Sequence, residues 1–233
     1  MKELWTEKYR PKTISEYVFK DDAHRKQILA WIKEGSIPHL LMSGSPGIGK
    51  TTLAKVLLNE LHIEDYDVLE VNASRETGID FIRDKIVPFI SMIPFGPFKV
   101  VILDEADRLS QQAQDSLKGI IEEYSAHARF ILTCNNPNRV QQPIKSRCNP
   151  MHFTSTDQTE FTARAATILV NEGIEFDLDI LDTYVKVTYP DLRSCIKLLQ
   201  TNSVDNRLLN PRDEDAGVSD YKLEMEIGRA SCR

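Results

Sequence analysis

The stretch GSPGIGKT, Gly44 to Thr51, decides the fold, because it fits the pattern G-x-x-x-x-G-K-S/T of a phosphate-binding loop. An apolar run, HLLMSG (39–44), precedes it, and a helical pattern, KTTLAKVLLNELH (50–62), follows it. A strand before the loop and a helix after it are the context in which this pattern binds phosphate. The stretch therefore predicts a nucleotide-binding loop in an α/β domain. A glycine-rich turn without a ligand is the alternative.

The residue types within this loop suit the binding of ATP and Mg²⁺, the cofactors that we expect. Glycines allow backbone amides to curl around phosphate oxygens, and the helix N-terminus adds positive partial charge. Lys50 is predicted to contact the terminal phosphates, and the hydroxyl of Thr51 is predicted to ligate Mg²⁺. The predicted nucleotide-binding residues of the loop are Gly44, Ser45, Pro46, Gly47, Ile48, Gly49, Lys50, Thr51 and Thr52.

Three further strand-like runs follow the loop: DVLEVNA (67–73), KVVILDEAD (99–107) and RFILTCNN (129–136). Helical patterns such as SQQAQDSLKGIIEEYS separate them. Strands that alternate with helices predict a parallel sheet with helices on its faces. We therefore expect an α/β nucleotide-binding domain over residues 1–153.

Residues 154–204 read as helices and predict a small helical lid. Asp157 and Asp191 stand where helix N-caps or first-turn acids are expected, and Gly173 stands where a helix C-terminal cap is expected. The lid is predicted to follow the α/β domain directly.

The last stretch, 205–233, carries no apolar periodicity, and we expect it to be disordered or non-native. Its ending, EIGRASCR, resembles the in-frame translation of a common sequencing adapter. We therefore expect the natural protein to continue beyond about Glu226. A genuine polar tail is the alternative.

Composition excludes several classes of protein. The net charge of -6 over 233 residues argues against a surface that is positive all round, so any nucleic-acid site must be local. No apolar run of about 18 residues and no apolar N-terminal stretch occur, so we expect neither a membrane protein nor an exported one. We place it in the cytoplasm, in the host cytoplasm if it is viral, or in the nucleus if it is eukaryotic. Four scattered cysteines without metal-ligand spacing are interpreted as reduced thiols: Cys134, Cys148, Cys195 and Cys232.

Polar residues follow two of the predicted strands at their carboxyl ends, where ligands bind in open α/β sheets. Asp104 is predicted to hold Mg²⁺, and Glu105 is predicted to orient and deprotonate the attacking water. Asn135 is predicted to sense the γ-phosphate or that water. The alternatives are solvated carboxylates and, for Asn135, a turn, which is the role that we assign to Asn136 and Asn138. Helicases also carry DEAD, so these four letters alone select no family.

Seven stretches occur in the order found in clamp-loader ATPase subunits: WTEKYRPKT, IPHLLMSGSPGIGKTT, EVNASRETGIDFIRDKI, VVILDEADRLS, IIEEYSAHARFILTCN, PIKSRC and YPDLRSCIKLLQ. From Leu4 to about Thr201 the chain resembles the AAA+ clamp loaders, of the replication factor C small-subunit and bacteriophage type. The resemblance implies a Rossmann-like AAA+ domain, a three-helix lid, and a third, helical collar domain through which five subunits assemble. We expect this chain to end near the point where the collar should begin.

The resemblance also implies roles for residues outside the loop. Arg147, in PIKSRC, looks like an arginine finger that stabilises the γ-phosphate bound by a neighbouring subunit, and a surface arginine is the alternative. Arg193, in YPDLR, looks like the lid's sensor of bound nucleotide, and a helix-surface salt bridge is the alternative. Tyr9, Arg10 and Pro11 match the segment that packs against adenine, and packing at the domain edge is the alternative.

A clamp loader grips primer-template DNA, and ETGIDFIRDKI is the segment that resembles the family's DNA contact. The predicted DNA-contacting residues are Ile79, Arg83 and Lys85, near a helix start. Contacts of this kind meet phosphates, so no preference for base sequence should follow. A solvated charged helix is the alternative.

Two further features resemble functional parts of the family. Gln114 matches a glutamine that couples DNA contact to the catalytic acid, and an exposed helix glutamine is the alternative. The loop SMIPFGPF (91–98) holds more apolar side chains than an ordinary surface loop. Its residues Met92, Ile93 and Phe95 are candidates for contact with the sliding clamp, and folding of the loop back onto the core is the alternative.

The resemblance implies a DNA-dependent ATPase subunit that uses ATP binding to open a sliding clamp and hydrolysis to release it on DNA during replication. Its partners would be other clamp-loader subunits, the clamp and primer-template DNA. Another AAA+ DNA motor, such as a helicase loader or a branch-migration helicase, is the alternative. A non-catalytic subunit is a third possibility, but that class often loses the loop lysine or the acidic pair, and Lys50, Asp104 and Glu105 are all present.

Overall fold

The computed structural model describes residues 3–211, which form two compact units. One unit runs from Pro11 to Thr154, and the other combines the residues up to Arg10 with those from Ser155 onward. The sequence predicts that residues 1–153 form one domain, but the N-terminal segment belongs with the helical unit. The reason is that the indole of Trp5 is buried in the apolar cluster of that unit. Within residues 3–211, no helix combines the length and the apolar character needed to cross a membrane.

A five-stranded parallel sheet forms the centre of the first unit, as the alternating pattern predicts. The strand order is β2-β3-β4-β1-β5. The strands are β1 Leu40–Gly44, β2 Val68–Asn72, β3 Lys99–Asp104, β4 Ala128–Cys134 and β5 Asn149–Phe153. The fifth strand lies at the sheet edge and holds a proline, which edge strands tolerate, and its short NPMHF run gives little strand signal in the sequence.

Helices cover both faces of this sheet. They are α2 Asp22–Glu34, α3 Lys50–Glu60, α4 Val87–Ser91, α5 Gln111–Glu123 and α6 Gln142–Lys145. Successive residues of β1 enter opposite apolar clusters, with Leu41 on the face of α4 and α5 and Met42 on the face of α2 and α3. Because both faces are buried, the central strands β1, β3 and β4 are nearly continuous apolar runs. The edge strands differ, since β2 carries exposed Glu70 and β5 carries exposed His152.

The second unit is mainly helical. It contains α1 Trp5–Lys8, α7 Gln158–Asn171, α8 Leu178–Thr188 and α9 Leu192–Thr201. The predicted N-caps are confirmed, since Asp157 accepts a hydrogen bond from the amide of Glu160 and Asp191 accepts one from the amide of Ser194. Gly173 has a φ of 66°, the left-handed conformation expected after the C-terminus of α7.

A short hairpin extends the helical unit beyond the predicted boundary at residue 205. Its strands are β6 Ser203–Val204 and β7 Arg207–Leu208, and Asp205 and Asn206 form the turn with positive φ. Leu208 is buried in the apolar cluster of this unit, which explains why the chain stays ordered here. Two-residue strands give no periodicity that a sequence pattern could show. The predicted tail from residue 212 onward, including EIGRASCR, lies outside the described residues.

Three of the four cysteines lie in the described part of the chain, and all three are buried free thiols. Burial raises the pKa of Cys134 and Cys195 to about 11 and that of Cys148 to about 12. These thiols are therefore protonated and unreactive at neutral pH. Cys232 lies outside the described residues.

Candidate nucleotide-binding site

The phosphate-binding loop connects the carboxyl end of β1 to the first residue of α3. Gly44, Gly47 and Gly49 have φ values of 156°, 76° and 96°, which L side chains rarely adopt. A Cβ atom on Gly44 would lie 2.2 Å from the backbone oxygen of Phe153, so this position admits only glycine. The three glycines therefore give the loop the backbone curvature that the sequence pattern predicts.

Lys50 lies at the start of α3 with its ammonium group turned back into the loop. Its Nζ donates hydrogen bonds to the backbone oxygens of Gly44 and Ser45 at 2.8 Å and 2.9 Å. It also donates to the side-chain Oδ1 of Asn135 at 3.0 Å. The lysine and the candidate sensor asparagine, 85 residues apart in sequence, thus meet in one site.

Thr51 and Asp104 also meet, and their contact joins the loop to the end of β3. The hydroxyl of Thr51 donates to Oδ1 of Asp104 at 2.9 Å, and the hydroxyl of Thr133 on β4 donates to the same oxygen. A hydroxyl and a carboxylate are hard oxygen ligands of the kind that Mg²⁺ prefers, and Mg²⁺ usually takes few protein ligands beside phosphate and water. These residues therefore fit the predicted Mg²⁺ ion. Sequence reasoning did not identify Thr133, although it lies two residues before Asn135 in RFILTCNN.

Glu105 follows β3 in the left-handed region, with φ 56° and ψ 43°. Non-glycine residues seldom adopt this conformation, and it costs roughly 1–3 kcal/mol where the surroundings impose it. The amide of Glu105 donates to the hydroxyl of Thr133 at 3.2 Å, which helps to hold the turn. Its carboxylate is partly exposed and lies 3.7 Å from Nε of Arg108. Glu105 thus lies in a strained turn directly after Asp104, the residue that bonds to Thr51 of the loop.

Asp107 fixes the segment that carries Asn135. Its buried carboxylate accepts hydrogen bonds from the amides of Asn135 and Asn136, at 3.4 Å and 3.1 Å. The side chain of Asn136 accepts from the amide of Asn138 at 3.1 Å, which confirms the turn predicted for these two residues. Asp107 is the last letter of DEAD, and sequence reasoning gave it no role because its partners lie in another run.

Arg147 lies at the amino edge of the sheet, where the parallel strands begin. The phosphate-binding loop lies at the carboxyl edge, where they end. In the parallel pairing of β1 with β5, Leu40 lies opposite Asn149 and Gly44 lies opposite Phe153. The loop leaves the carboxyl end of β1, whereas Arg147 precedes the amino end of β5. Four residue steps along β1 at about 3.3 Å each place the amino and carboxyl edges roughly 13 Å apart. The structure therefore brings Lys50, Thr51, Asp104 and Asn135 together but does not bring Arg147 to them.

Gln114 is not the exposed helix residue that the alternative interpretation predicts. It is 3% exposed. Its Nε2 donates to the backbone oxygens of Leu109 and Arg139, both at 3.1 Å, and its Oε1 accepts from the amide of Gln141 at 2.8 Å. The side chain thus bonds α5 to the segment between β4 and α6. Its predicted coupling role remains a prediction.

The predicted DNA segment forms a π-helical turn, Ile82–Ile86, that continues into α4. Arg83 and Lys85 are exposed, and Ile79 is half-buried. The amide of Arg83 donates to the backbone oxygen of Ile79 at 3.3 Å, so these two residues are one helical turn apart. Lys85 forms an ion pair with Glu76, which reduces its free positive charge. Arg83 is therefore the more accessible of the two predicted phosphate contacts.

The apolar loop, defined as residues 91–98, fits both interpretations in part: one end folds back onto the core, and the tip is free for contact with a partner. Phe98 is buried in the core, whereas Met92, Ile93 and Phe95 are 60%, 88% and 83% exposed. The ring of Phe95 packs edge-on against Tyr66, which is itself exposed. The end of the loop thus anchors it while its tip presents large apolar side chains, a feature that marks interaction surfaces.

Asp67 anchors this loop through a buried ion pair. Its carboxylate accepts from the amide of Gly96 at 2.7 Å, from the amide of Phe95 at 3.2 Å and from Nζ of Lys99 at 2.9 Å. Both charged side chains are at most 2% exposed. Burial by itself would raise the pKa of the Asp67 carboxyl, but these hydrogen bonds together hold the pKa below its ordinary value. The carboxylate therefore remains charged and fixes the backbone of the loop.

We expect Asp67→Ala to lower the free energy of unfolding by about 3–5 kcal/mol, because it leaves the ammonium of Lys99 buried without its counter-ion. Urea denaturation at pH 7 measures this, and Asp65→Ala, an exposed neighbour, is the matched control. Because the folded pKa of Asp67 is depressed, its contribution is fully present above the unfolded value of about 4 and is lost as the pH falls through the folded pKa. An Asp67→Ala variant as stable as the Asp65→Ala variant would contradict the anchoring role.

The remaining predicted nucleotide contacts lie on other parts of the chain. The hydroxyl of Tyr9 donates to Glu172 at 2.7 Å, and the guanidinium of Arg10 pairs with Glu7. Arg193 is exposed in the first turn of α9. Tyr9, Arg10 and Arg193 belong to the helical unit, and half-buried Pro11 begins the other unit. Their contact with a nucleotide stays a prediction.

Comparison with known proteins identifies the family. The sequence pattern of the ATPase family associated with various cellular activities (AAA) matches residues 40–156, the range that holds the loop, Asp104, Glu105 and Asn135. The chain belongs to the AAA family. The match ends just past β5, so it covers the sheet and every side chain that the structure gathers around the loop.

Among curated AAA relatives, the chain is similar to replication factor C small subunits. Those of Methanocella arvoryzae and Sulfurisphaera tokodaii are 39% and 41% identical to it over 203 and 205 residues. The matches cover 85% and 86% of this chain but 63% and 62% of the relatives, so the chain spans a little over three fifths of their length.

Solved structures confirm the AAA fold. Two mutants of Thermotoga maritima RuvB align with 91% and 93% of this chain and with 73% of their own, with TM-scores of 0.69 and 0.70. Their sequences are 17% and 16% identical to it. At that identity the likeness concerns the fold alone.

Proposed function

We propose that the chain is an ATP-hydrolysing subunit of a sliding-clamp loader that acts on primer-template DNA during replication. The strongest support is that Arg147 lies far from the nucleotide-binding residues of its own AAA unit. The carboxyl edge of the sheet carries the loop lysine, the proposed Mg²⁺ ligands and the proposed catalytic acid. Arg147 lies at the amino edge. A site of this kind is completed by a second subunit. The similarity to replication factor C small subunits supports the clamp loader as the assembly.

The residues around the loop divide the work of hydrolysis. Lys50 and the loop amides hold the terminal phosphates, and Thr51 and Asp104 hold Mg²⁺. When bound, Mg²⁺ neutralises charge on the phosphates. Glu105 orients the attacking water and accepts its proton, and Asn135 holds the water or the γ-phosphate in line. In the structure Asn135 bonds to Lys50, so binding of the γ-phosphate would exchange this contact for new ones and signal the nucleotide state.

Arg147 is proposed to complete the site of a neighbouring subunit. A guanidinium is planar and permanently charged, so it stabilises the charge that spreads over the transferred phosphoryl group. Arg147 lies too far from its own loop to do this within one subunit. Five subunits, joined by a further helical domain, would form the ring or spiral. In the helical unit, Arg193 is proposed as the second nucleotide sensor, and Tyr9, Arg10 and Pro11 as the adenine contact.

Two surfaces are proposed for the partners. The turn that carries Ile79, Arg83 and Lys85 would contact DNA phosphates, and buried Gln114 would transmit this contact to the catalytic acid. The exposed tip of the apolar loop would insert into an apolar pocket on the clamp, since Met92, Ile93 and Phe95 bury little surface in the subunit itself.

DNA affinity of the assembled complex should fall steeply as salt is raised and should vary little with base sequence, because phosphates are the contacts. Arg83→Ala should reduce the slope of log K against log[salt] by about 0.9 per lost phosphate contact. Fluorescence anisotropy with labelled primer-template DNA between 50 and 200 mM salt measures the slope. Arg25→Ala, on α2, is the control. A salt-independent affinity would argue against this role for Arg83.

The proposed function is tested by clamp loading itself. The complex of the full-length subunits should load a labelled clamp onto primed circular DNA only with ATP, and primer-template DNA should stimulate hydrolysis. Unwinding of a forked duplex without any clamp would instead identify a DNA motor such as a helicase. Hydrolysis that is absent in every assembly would identify a non-catalytic subunit.

A further inference from the structure

Arg147 is held by its own subunit in the structure. Its Nη2 pairs with the carboxylate of Glu122, and its Nη1 donates to the backbone oxygen of Pro143 at 2.6 Å and to the hydroxyl of Ser146 at 3.4 Å. The carboxylate comes from α5, 25 residues earlier in the chain. The sequence therefore gave no sign of it, since no acid stands next to Arg147. The side chain that would reach a neighbour is already engaged by an acid.

The contacts of the guanidinium are incomplete in this position. Its Nε is buried and lacks a hydrogen-bond partner among the described residues. A buried donor without a partner is unfavourable, so the rotamer depends on the contacts made by the other two nitrogens. Of those contacts, only the one to Glu122 involves an opposite charge. Loss of that contact would leave Arg147 held by its hydrogen bonds to the neutral oxygens of Pro143 and Ser146.

The position of Glu122 is not explained by the stability of its helix. It is the second-to-last residue of α5, where the partial negative charge of the helix C-terminus disfavours an acid. The carboxylate side chain is 59% exposed, whereas that of Arg147 is 26% exposed. An exposed acid at this end of a helix thus forms one charged contact, with the arginine that the proposed function places at the neighbour's phosphate.

The surface next to Arg147 has room for a partner. A groove of about 540 Å³ runs beside it, and its lining includes Trp31, His39, Arg129 and Asn149. The guanidinium of Arg129 donates hydrogen bonds to three backbone oxygens. These acceptors are uncharged, so they do not neutralise its positive charge. Burial lowers the pKa of His39 to about 4, so it is neutral at pH 7. A group that approaches through the groove meets two guanidinium groups, with Glu122 and Glu34 as the nearby acids.

We propose that Glu122 is the positioning residue of Arg147, and that it holds the guanidinium until the γ-phosphate of a neighbouring subunit replaces its carboxylate. A terminal phosphate carries more negative charge than a carboxylate and offers three oxygens to the guanidinium fork. The exchange also gives Nε an acceptor. ADP has no γ-phosphate, so Glu122 would keep Arg147 at an interface that holds ADP. This inference rests on the proposed role of Arg147 in trans.

The first test uses the chain alone and does not depend on any ATPase activity. Phenylglyoxal modifies accessible arginines, and mass spectrometry gives the rate at each of them. In Glu122→Gln the rate at Arg147 should rise about two- to five-fold, the range expected for loss of an ion pair with one exposed partner. Glu123→Gln removes the same charge one residue away and should leave that rate unchanged, and Arg75 serves as an internal reference in every sample. An unchanged rate at Arg147 in Glu122→Gln would overturn the proposal.

The second test uses the assembled complex. Glu122→Gln should lower the KM for ATP about two- to five-fold with kcat unchanged, because the phosphate no longer competes with a carboxylate. The difference should shrink as salt is raised. A fall in kcat with KM unchanged would overturn the exchange, since Glu122 would then be needed in the transition state. If the modification rate rises but no assembly hydrolyses ATP, the contact with Glu122 stands and the proposed function fails.

Discussion

Arg147→Ala is expected to leave ATP binding by a single chain nearly unchanged and to reduce hydrolysis in the assembled complex by about 10³-fold or more, the usual effect of losing an arginine finger. Binding should persist because the loop, Lys50 and Thr51 of the same chain are untouched at the opposite sheet edge. Titration with a fluorescent ATP analogue measures binding, and phosphate release measures hydrolysis. Arg139→Ala is the matched control, since it removes an exposed arginine from the same connection between β4 and β5.

Mixing two inactive variants gives a sharper form of this experiment. A complex that contains both Arg147→Ala and Glu105→Gln subunits should recover part of the activity, because some interfaces pair an intact acid with an intact arginine. A residue that acts only within its own subunit cannot be rescued in this way. If a single chain hydrolyses ATP rapidly and Arg147→Ala removes that activity without a partner, the arginine acts in cis and the proposal is wrong.

Lys50→Ala and Glu105→Gln are expected to separate binding from hydrolysis. The ammonium of Lys50 is expected to contact phosphates in the ground state, so its loss should weaken ATP binding by about 2–5 kcal/mol, the cost of removing one member of a buried charged contact. Glu105→Gln keeps the loop intact and removes only the proposed base, so binding should persist while hydrolysis falls about 10²- to 10⁴-fold.

Hydrolysis by both variants is measured on the full assembly, and ATP binding is measured on the chain alone. Lys55→Ala is the control for the lysine, because Lys55 lies on the same helix and pairs with Glu70 at the surface. Equal ATP affinity for Lys50→Ala and Lys55→Ala would show that the loop does not bind phosphate as proposed.

Much of the first unit was predictable because its signals are local. The loop pattern, the apolar runs and the polar residues that end β3 and β4 each occupy a few consecutive positions. Parallel strands bring their carboxyl ends to one edge, so the meeting of Lys50, Thr51, Asp104 and Asn135 followed from the pattern alone.

The rest depends on contacts between distant parts of the chain. Glu122 reaches Arg147 across 25 positions, and Asp107 reaches Asn135 across 28. Gln114 looks like a surface residue in the pattern of its helix, yet the segment after β4 covers it. The burial of Trp5 among residues more than 150 positions away could not be read from a pattern either. Such contacts leave no periodic signal.

Because Arg147 lies at the sheet edge opposite the loop, the number of complete nucleotide sites depends on whether the assembly is an open arc or a closed ring. An interface that joins the amino edge of one subunit to the carboxyl edge of the next is heterologous. Subunits joined in this way add one after another until the rotation between them closes a ring. An open arc therefore has one fewer complete site than it has subunits, because its terminal loop has no arginine donor. A closed ring has as many complete sites as subunits. The ratio of rapidly hydrolysed ATP to bound ATP in a single turnover would thus report whether the assembly is open.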